Sequence, residues 1–285
     1  LTAVLVVFYL FSGKFQSYAL FLANFIVYYF LFGGIVPYLT LMLIVLISYT
    51  TPLLFRIDRT SVNLTFVSVI LVILISVRYF GFLNFFDGSG MPNLDQGLVP
   101  IGISYVSFQA IGYLRDVYYE VVPTTKNFLN YANYLLLFPK ISAGPVERAY
   151  NVLPILEQDY DGDESFISHG FKLILWGSFK TTVVAGALSR MLLDSRQLNG
   201  EIEVHLLLLG SSIIFYPLWL YIQFSGYTDI ARGLGFLFGL NFIENFNSPF
   251  LSESITEFWR RWHISLSTWF NEYFFTPISF ASRKF

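Results

Sequence analysis

The residues best suited to chemistry gather in one stretch, FWRRWHISLSTWF, residues 258–270. His263 stands there between Trp262 and Trp269, with Arg260 and Arg261 just before it and Ser267 four positions on. An imidazole titrates near neutral pH and can take a proton from a hydroxyl. Other chemistries lack their residues. With no cysteine in the chain, a thioester on Cys, a thiolate metal site and a disulfide are excluded. No two of the three histidines (His169, His205, His263) lie four apart, so the H-E-x-x-H zinc motif is missing and no metal site is expected. SGKF lacks the upstream glycine of a phosphate loop, and GISYV (102–106) lacks the closing glycine of a nucleophile elbow. The acidic run EQDYDGDE (157–164) has its glycine at the wrong place for a calcium loop and reads as a solvated connection. His169 and His205 sit at the edges of apolar runs and read as interfacial polar groups.

Something must hold His263 in place. SITE, residues 254–257, has the S-x-x-E spacing of a capping box and predicts a helix starting near Ile255. On that helix His263 falls a little over two turns in, with Trp259, Leu266 and Phe270 near the same face. Glu257 can reach Arg261 at i+4, and Ser267 can hydrogen-bond His263. Two readings stay open on these residues. One is an interfacial helix whose arginines meet lipid phosphates and whose tryptophans form an aromatic belt. The other is a titratable imidazole in a partly buried polar cluster, the setting of a general base.

The surroundings are apolar. Of 285 residues 55% are hydrophobic and 13% charged, against roughly 25% charged in a soluble domain. Net charge is −2, which gives no field to attract nucleic acid. Apolar runs of about 20 residues predict spans at 17–36, 37–55, 63–86, 166–193 and 204–224, with 1–11 as the remainder of another. Residues 98–119 are apolar but carry Ser104, Ser107, Gln109, Arg115 and Asp116, so that span should face protein or a cavity. NFLNYANYLLLFP breaks at Pro139, and KISAGPVER (140–148) reads as re-entrant or interfacial. In the glycine-rich SGYTDIARGLGFLFGL (225–240), Asp229 and Arg232 are spaced to pair on one helix face. A start at Leu1 inside an apolar run, and an end shortly after a helical pattern, read as a fragment of a longer chain.

Three blocks carry a resemblance: LVPIGISYVSFQAIGYLRDVYY, NFLNYANYLLLFPKISAGPVERA, and YIQFSGYTDIARGLGFLFGLNFIENFNSPFLSESITEFWRRWHISLSTWF. In order and character they resemble the membrane-bound O-acyltransferase superfamily over about residues 98–277, nearest the alginate O-acetyltransferase membrane-subunit branch, with the D-alanyl transfer branch related. The resemblance implies an all-α, polytopic ring of helices around a central tunnel in the bacterial inner membrane. It treats the chain as one incomplete domain, residues 1–97 as leading spans and 98–285 as the core. It implies that an acyl group, from acetyl-CoA as cytoplasmic donor, is passed toward a hydroxyl of an exported polysaccharide with the help of periplasmic acetyltransferase partners. No bound cofactor and no nucleic acid enter that scheme. His263 matches the supporting histidine of a family pair, and the second, catalytic histidine is expected beyond Phe285, leaving this stretch alone inactive. Asn245, Asn247, Arg260, Arg261, Trp262 and Ser267 are then expected to orient the donor or support the tunnel wall. Two rival functions are a transporter with broken helices and a non-catalytic scaffold for periplasmic transferases.

Overall fold

Helix boundaries follow the local signals. The computed structural model describes residues 5, 8–10, 14–32, 35–56, 58–87, 102–141, 143–158, 160, 162–193 and 202–282. Helix α1 is Lys14–Phe32, α2 is Val36–Thr50, and α3 is Arg59–Asp87. Pro37 sits in the first turn of α2, where its missing N–H is no loss. Asp58 opens α3 by accepting the N–H groups of Thr60 (3.1 Å) and Ser61 (3.2 Å). Helix α4, Ile103–Tyr118, follows Gly102, whose φ of 82° is left-handed; a Cβ there would lie 2.3 Å from the Ile141 carbonyl oxygen. Asn127 caps α5, Phe128–Leu136, and Asp163 caps α7, Glu164–Phe179. Between them lie a 3-10 turn at Phe138–Lys140 and α6, Ala149–Leu156. A π-turn at Lys180–Val184 joins α7 to α8, Ala185–Leu193. Helix α9 is Ile202–Leu237, α10 is Ile255–Arg261 and α11 is Ile264–Phe270; a π-turn, Asn271–Phe275, leads to α12, Thr276–Ser282. Among the described residues the regular secondary structure is helical apart from an isolated bridge between Phe246 and Trp262.

By packing, the chain divides into two units. The first comprises Leu1–Ser142, Val146–Asp161 and Ser265–Phe285. Its core is built on Tyr28, Leu41, Ile44, Ile70, Tyr113, Leu114, Tyr131 and Tyr134, all essentially closed to solvent. Polar side chains stitch α1 to α5: Ser17 donates to Asn130 (2.7 Å), Asn24 to Asn133 (3.1 Å), and Asn133 to the Ser17 carbonyl (2.9 Å). Such interhelical amide bonds suit a medium that offers no water as an alternative partner.

The second unit comprises Ala143–Pro145 and Gly162–Ile264. Here α7 and α9 touch backbone to backbone. A Cβ on Gly177 would lie 2.4 Å from the Gly226 carbonyl oxygen, and one on Gly170 would lie 2.7 Å from that of Gly233. The glycine-rich 225–240 stretch therefore does not break the helix; α9 runs through it to Leu237, past the expected end at 224. Asp229 and Arg232 do not pair with each other. Asp229 accepts from Lys180 (2.7 Å) and Arg232 reaches Glu244 (2.8 Å), because the neighbouring elements supply better-placed partners than the i+3 position.

Among the described residues, Pro37–Phe55 and Glu164–Arg190 are long and apolar enough to cross a membrane, while Phe15–Leu31 and Arg59–Ile75 are shorter apolar helices. The spans expose Leu39, Leu43, Leu46, Leu53, Phe171, Leu175, Trp176 and Val183, a surface suited to lipid. The side chain of His205 and the remnant expected at 1–11 lie wholly or largely outside the described residues.

Candidate functional site

The expected capping box forms. Ser254 Oγ accepts the Glu257 N–H (3.2 Å), and the Glu257 carboxylate accepts the N–H of Glu253 (2.8 Å). Helix α10 begins at Ile255, as its sequence predicts. Glu257 also accepts from Arg261 at 2.5 Å, the i+4 pair. The Glu253 N–H, then the guanidinium, hold the Glu257 carboxyl below its ordinary range.

The helix does not continue through His263. It ends at Arg261, Trp262 is extended, and His263 takes a left-handed φ of 45° before α11 starts at Ile264. Two short helices of seven residues thus replace the single helix expected, and the one face of Trp259, His263, Leu266 and Phe270 does not exist. The cause is tertiary. The segment 245–247 runs antiparallel to 261–264: Asn247 N–H donates to the Arg261 carbonyl (3.0 Å) and Ile264 N–H to the Asn245 carbonyl (2.9 Å). These bonds clamp the chain on both sides of His263 and bring Asn245, Asn247, Arg261, Trp262 and His263 together through their backbones. A non-glycine residue in left-handed backbone carries strain of about 1–3 kcal/mol, which the surroundings must impose.

The His263 ring stands edge-on to Phe224, 5.0 Å between centroids at 87°. Its Nδ1 is buried and has no hydrogen-bond partner among the described residues. His263 lies outside both candidate spans, and its burial pushes the imidazole down to about 4, so it is neutral at physiological pH. A neutral imidazole is in the state that accepts a proton. Trp262 is enclosed by aromatic rings: it stacks on Phe258 (5.6 Å, 17°) and meets Phe246 edge-on (5.1 Å). That makes it a packing plug for the clamp. Asn245 is buried, Asn247 and Arg260 are exposed, and Ser267 belongs to the first unit.

The first unit holds a polar cluster that the sequence reading did not select. Arg148, 5% exposed, donates Nε to Glu272 (2.7 Å), Nη1 to the carbonyls of Val146 (2.7 Å) and Ser265 (3.3 Å), and Nη2 to Thr268 (3.1 Å). Tyr273 donates to Asp116 (2.8 Å), and Trp269 to the Phe108 carbonyl (2.9 Å). Lys140, wholly buried, donates to Gln109 and lies over the Tyr134 ring. These bonds satisfy the Val146 carbonyl and seat Lys140 and Arg148, both buried, among protein groups.

The sequence decides the family. The family model for membrane-bound O-acyltransferases matches residues 117–285. The chain belongs to the membrane-bound O-acyltransferase family. Over 181 residues it is 38% identical to the probable alginate O-acetylase AlgI of Pseudomonas aeruginosa, covering 64% of this chain and 34% of the relative. It is 28% identical over 188 residues to the teichoic acid D-alanyltransferase of Bacillus subtilis (65% of this chain, 47% of the relative). It is 28% identical over 210 residues to the peptidoglycan O-acetyltransferase of Helicobacter pylori (64% and 39%). The chain thus spans about a third of the length of the alginate O-acetylase it matches. His263, Asn245, Arg148 and the glycine contacts between α7 and α9 lie within the residues matched by the family model.

Proposed function

We propose that the protein carrying this chain transfers an acetyl group from acetyl-CoA on the cytoplasmic side to hydroxyls of an exported polysaccharide at the bacterial inner membrane. The observation that carries the reading is the alignment with alginate O-acetylases over 181 residues. The polymer-acylating activities named in the other relatives support a hydroxyl-bearing polymer as acceptor. In the transfer an acceptor oxygen attacks the thioester carbonyl, the acceptor proton passes to a base, and the C–S bond breaks with coenzyme A leaving as the thiolate that takes up that proton. His263, neutral and held in a strained turn, is the supporting histidine of this reading: it accepts or orients a hydrogen bond at the reacting hydroxyl. Asn245 and Asn247 act through their main chain by fixing that turn. Arg260 is exposed and Arg261 is tied to Glu257, so both serve support more than chemistry.

The test is complementation in cells lacking the gene, with ester acetate on the exported polysaccharide read by proton NMR. Full-length wild type should restore it and His263→Ala should not. Full acetylation by the variant removes His263 from any essential role. Solute uptake without ester formation would replace the reading with a transporter.

A further inference from the structure

At the end of the Pro37–Phe55 span the first unit presents an alternating stack of rings and guanidinium groups. Arg59 Cζ lies 5.7 Å from the Phe55 ring centroid and 5.5 Å from that of Tyr118; Arg115 Cζ lies 5.7 Å from Tyr118 and 4.7 Å from Tyr119. The two arginines differ in one respect. Arg59 is neutralised by Glu120 (2.7 Å) and also donates to the Val117 carbonyl (2.7 Å). Arg115 donates to Asn63 Oδ1 (3.3 Å) and to the Tyr119 hydroxyl (2.6 Å), and no carboxylate pairs with it among the described residues. The neighbouring acids are committed elsewhere: Asp58 caps α3, Glu120 holds Arg59, and Asp116 accepts from Tyr273. Two of the five N–H donors of Arg115 are accounted for, and the side chain is half-buried.

The placement identifies the anion. Beside the stack the span ends in exposed Leu53 and Leu54, and Tyr119 and Val121 are exposed beyond it. Apolar surface giving way to tyrosines and arginine is the signature of the headgroup level of a bilayer. A guanidinium lying over two rings, with donors beyond the two already used, matches phosphate oxygens in a way an ammonium cannot. We propose that Arg115, clamped by Asn63, Tyr118 and Tyr119, is a binding site for the phosphate of a glycerophospholipid in the leaflet that meets the Phe55 end of this span.

The test uses the full-length protein in detergent with added short-chain phosphatidylglycerol, the matching diacylglycerol, or inorganic phosphate, read as lipid retained in native mass spectra and as melting temperature. Wild type should be stabilised by the phospholipid alone, and Arg115→Gln should bind it at least about tenfold more weakly, with Arg115→Lys between them. Equal stabilisation by diacylglycerol overturns the phosphate, and equal stabilisation by inorganic phosphate overturns the lipid. Unchanged lipid retention in Arg115→Gln overturns the residue. Should Arg115→Gln not fold, Arg115→Lys and the three wild-type arms decide the proposal by the same outcomes.

Discussion

Replace Gly177 by alanine and the α7–α9 contact should open. The new Cβ would meet the Gly226 carbonyl oxygen at 2.4 Å, Ile230 Cγ1 at 2.8 Å and Ile230 N at 2.9 Å. Two of these three are backbone atoms, so no rotamer change relieves them and the helices must part. Overpacking of a tight contact costs about 1–3 kcal/mol, and a backbone clash belongs at the upper end. Alanine returns about 1 kcal/mol of helix propensity. The net loss is about 2 kcal/mol, or about 4–8 °C in melting temperature at the scale of an unfolding unit of about 150–250 residues, as for the whole protein rather than one unit. Gly186 is the internal control: it lies in α8, and a Cβ there meets nothing within 4 Å. Gly186→Ala should be neutral or raise the melting temperature by about 2–4 °C. The assay is thermal unfolding of the full-length protein in one detergent, followed by intrinsic tryptophan fluorescence. If Gly177→Ala melts at or above wild type, or the two variants shift alike, the close helix contact is not what packs the second unit.

Other perturbations follow from the same geometry. Ser254→Ala removes the acceptor of the Glu257 N–H and should destabilise by about 1 kcal/mol in a denaturation series. Arg148→Met removes the donor to the Val146 and Ser265 carbonyls, Thr268 and Glu272; because Glu272 is 41% exposed the loss should be about 2–4 kcal/mol, below that of a wholly buried pair, with Arg148→Lys recovering only part. The His263 imidazole, lowered to about 4 in the fold from about 6.5 in the unfolded chain, contributes stability that is whole above pH 6.5 and is lost as pH falls toward 4. Melting curves at pH 7 and pH 4.5 should therefore converge in His263→Asn, which also tolerates the left-handed backbone, relative to wild type.

How much of this was written locally in the chain depends on the reach of each signal. The cap at Ser254, the start at Ile255 and the Glu257–Arg261 pair are short-range effects, and the sequence shows them directly. The break at His263 has no glycine or proline to announce it; it is imposed by the 245–247 segment, whose hydrogen bonds appear only when the fold is assembled. Asp229 and Arg232 had the right spacing for each other, yet Lys180 and Glu244 arrive from elsewhere and win. The span expected to end at 224 runs on to Leu237, and the glycines of 225–240 serve as a close-contact surface only because α7 packs on the other side. The Arg148 cluster gathers residues from 116 to 273, and no window of sequence contains them together.

The central claim is acyl transfer to a hydroxyl that depends on His263. It is tested most directly in proteoliposomes of the full-length protein, with acetyl-labelled acetyl-CoA on one face and polysaccharide on the other, by counting alkali-labile label on the polymer. The account predicts ester label with wild type and a rate lower by about 10²-fold or more in His263→Ala, the range of a lost hydrogen bond at the reacting centre. Label appearing at the wild-type rate in His263→Ala, or none with folded wild type, would contradict it.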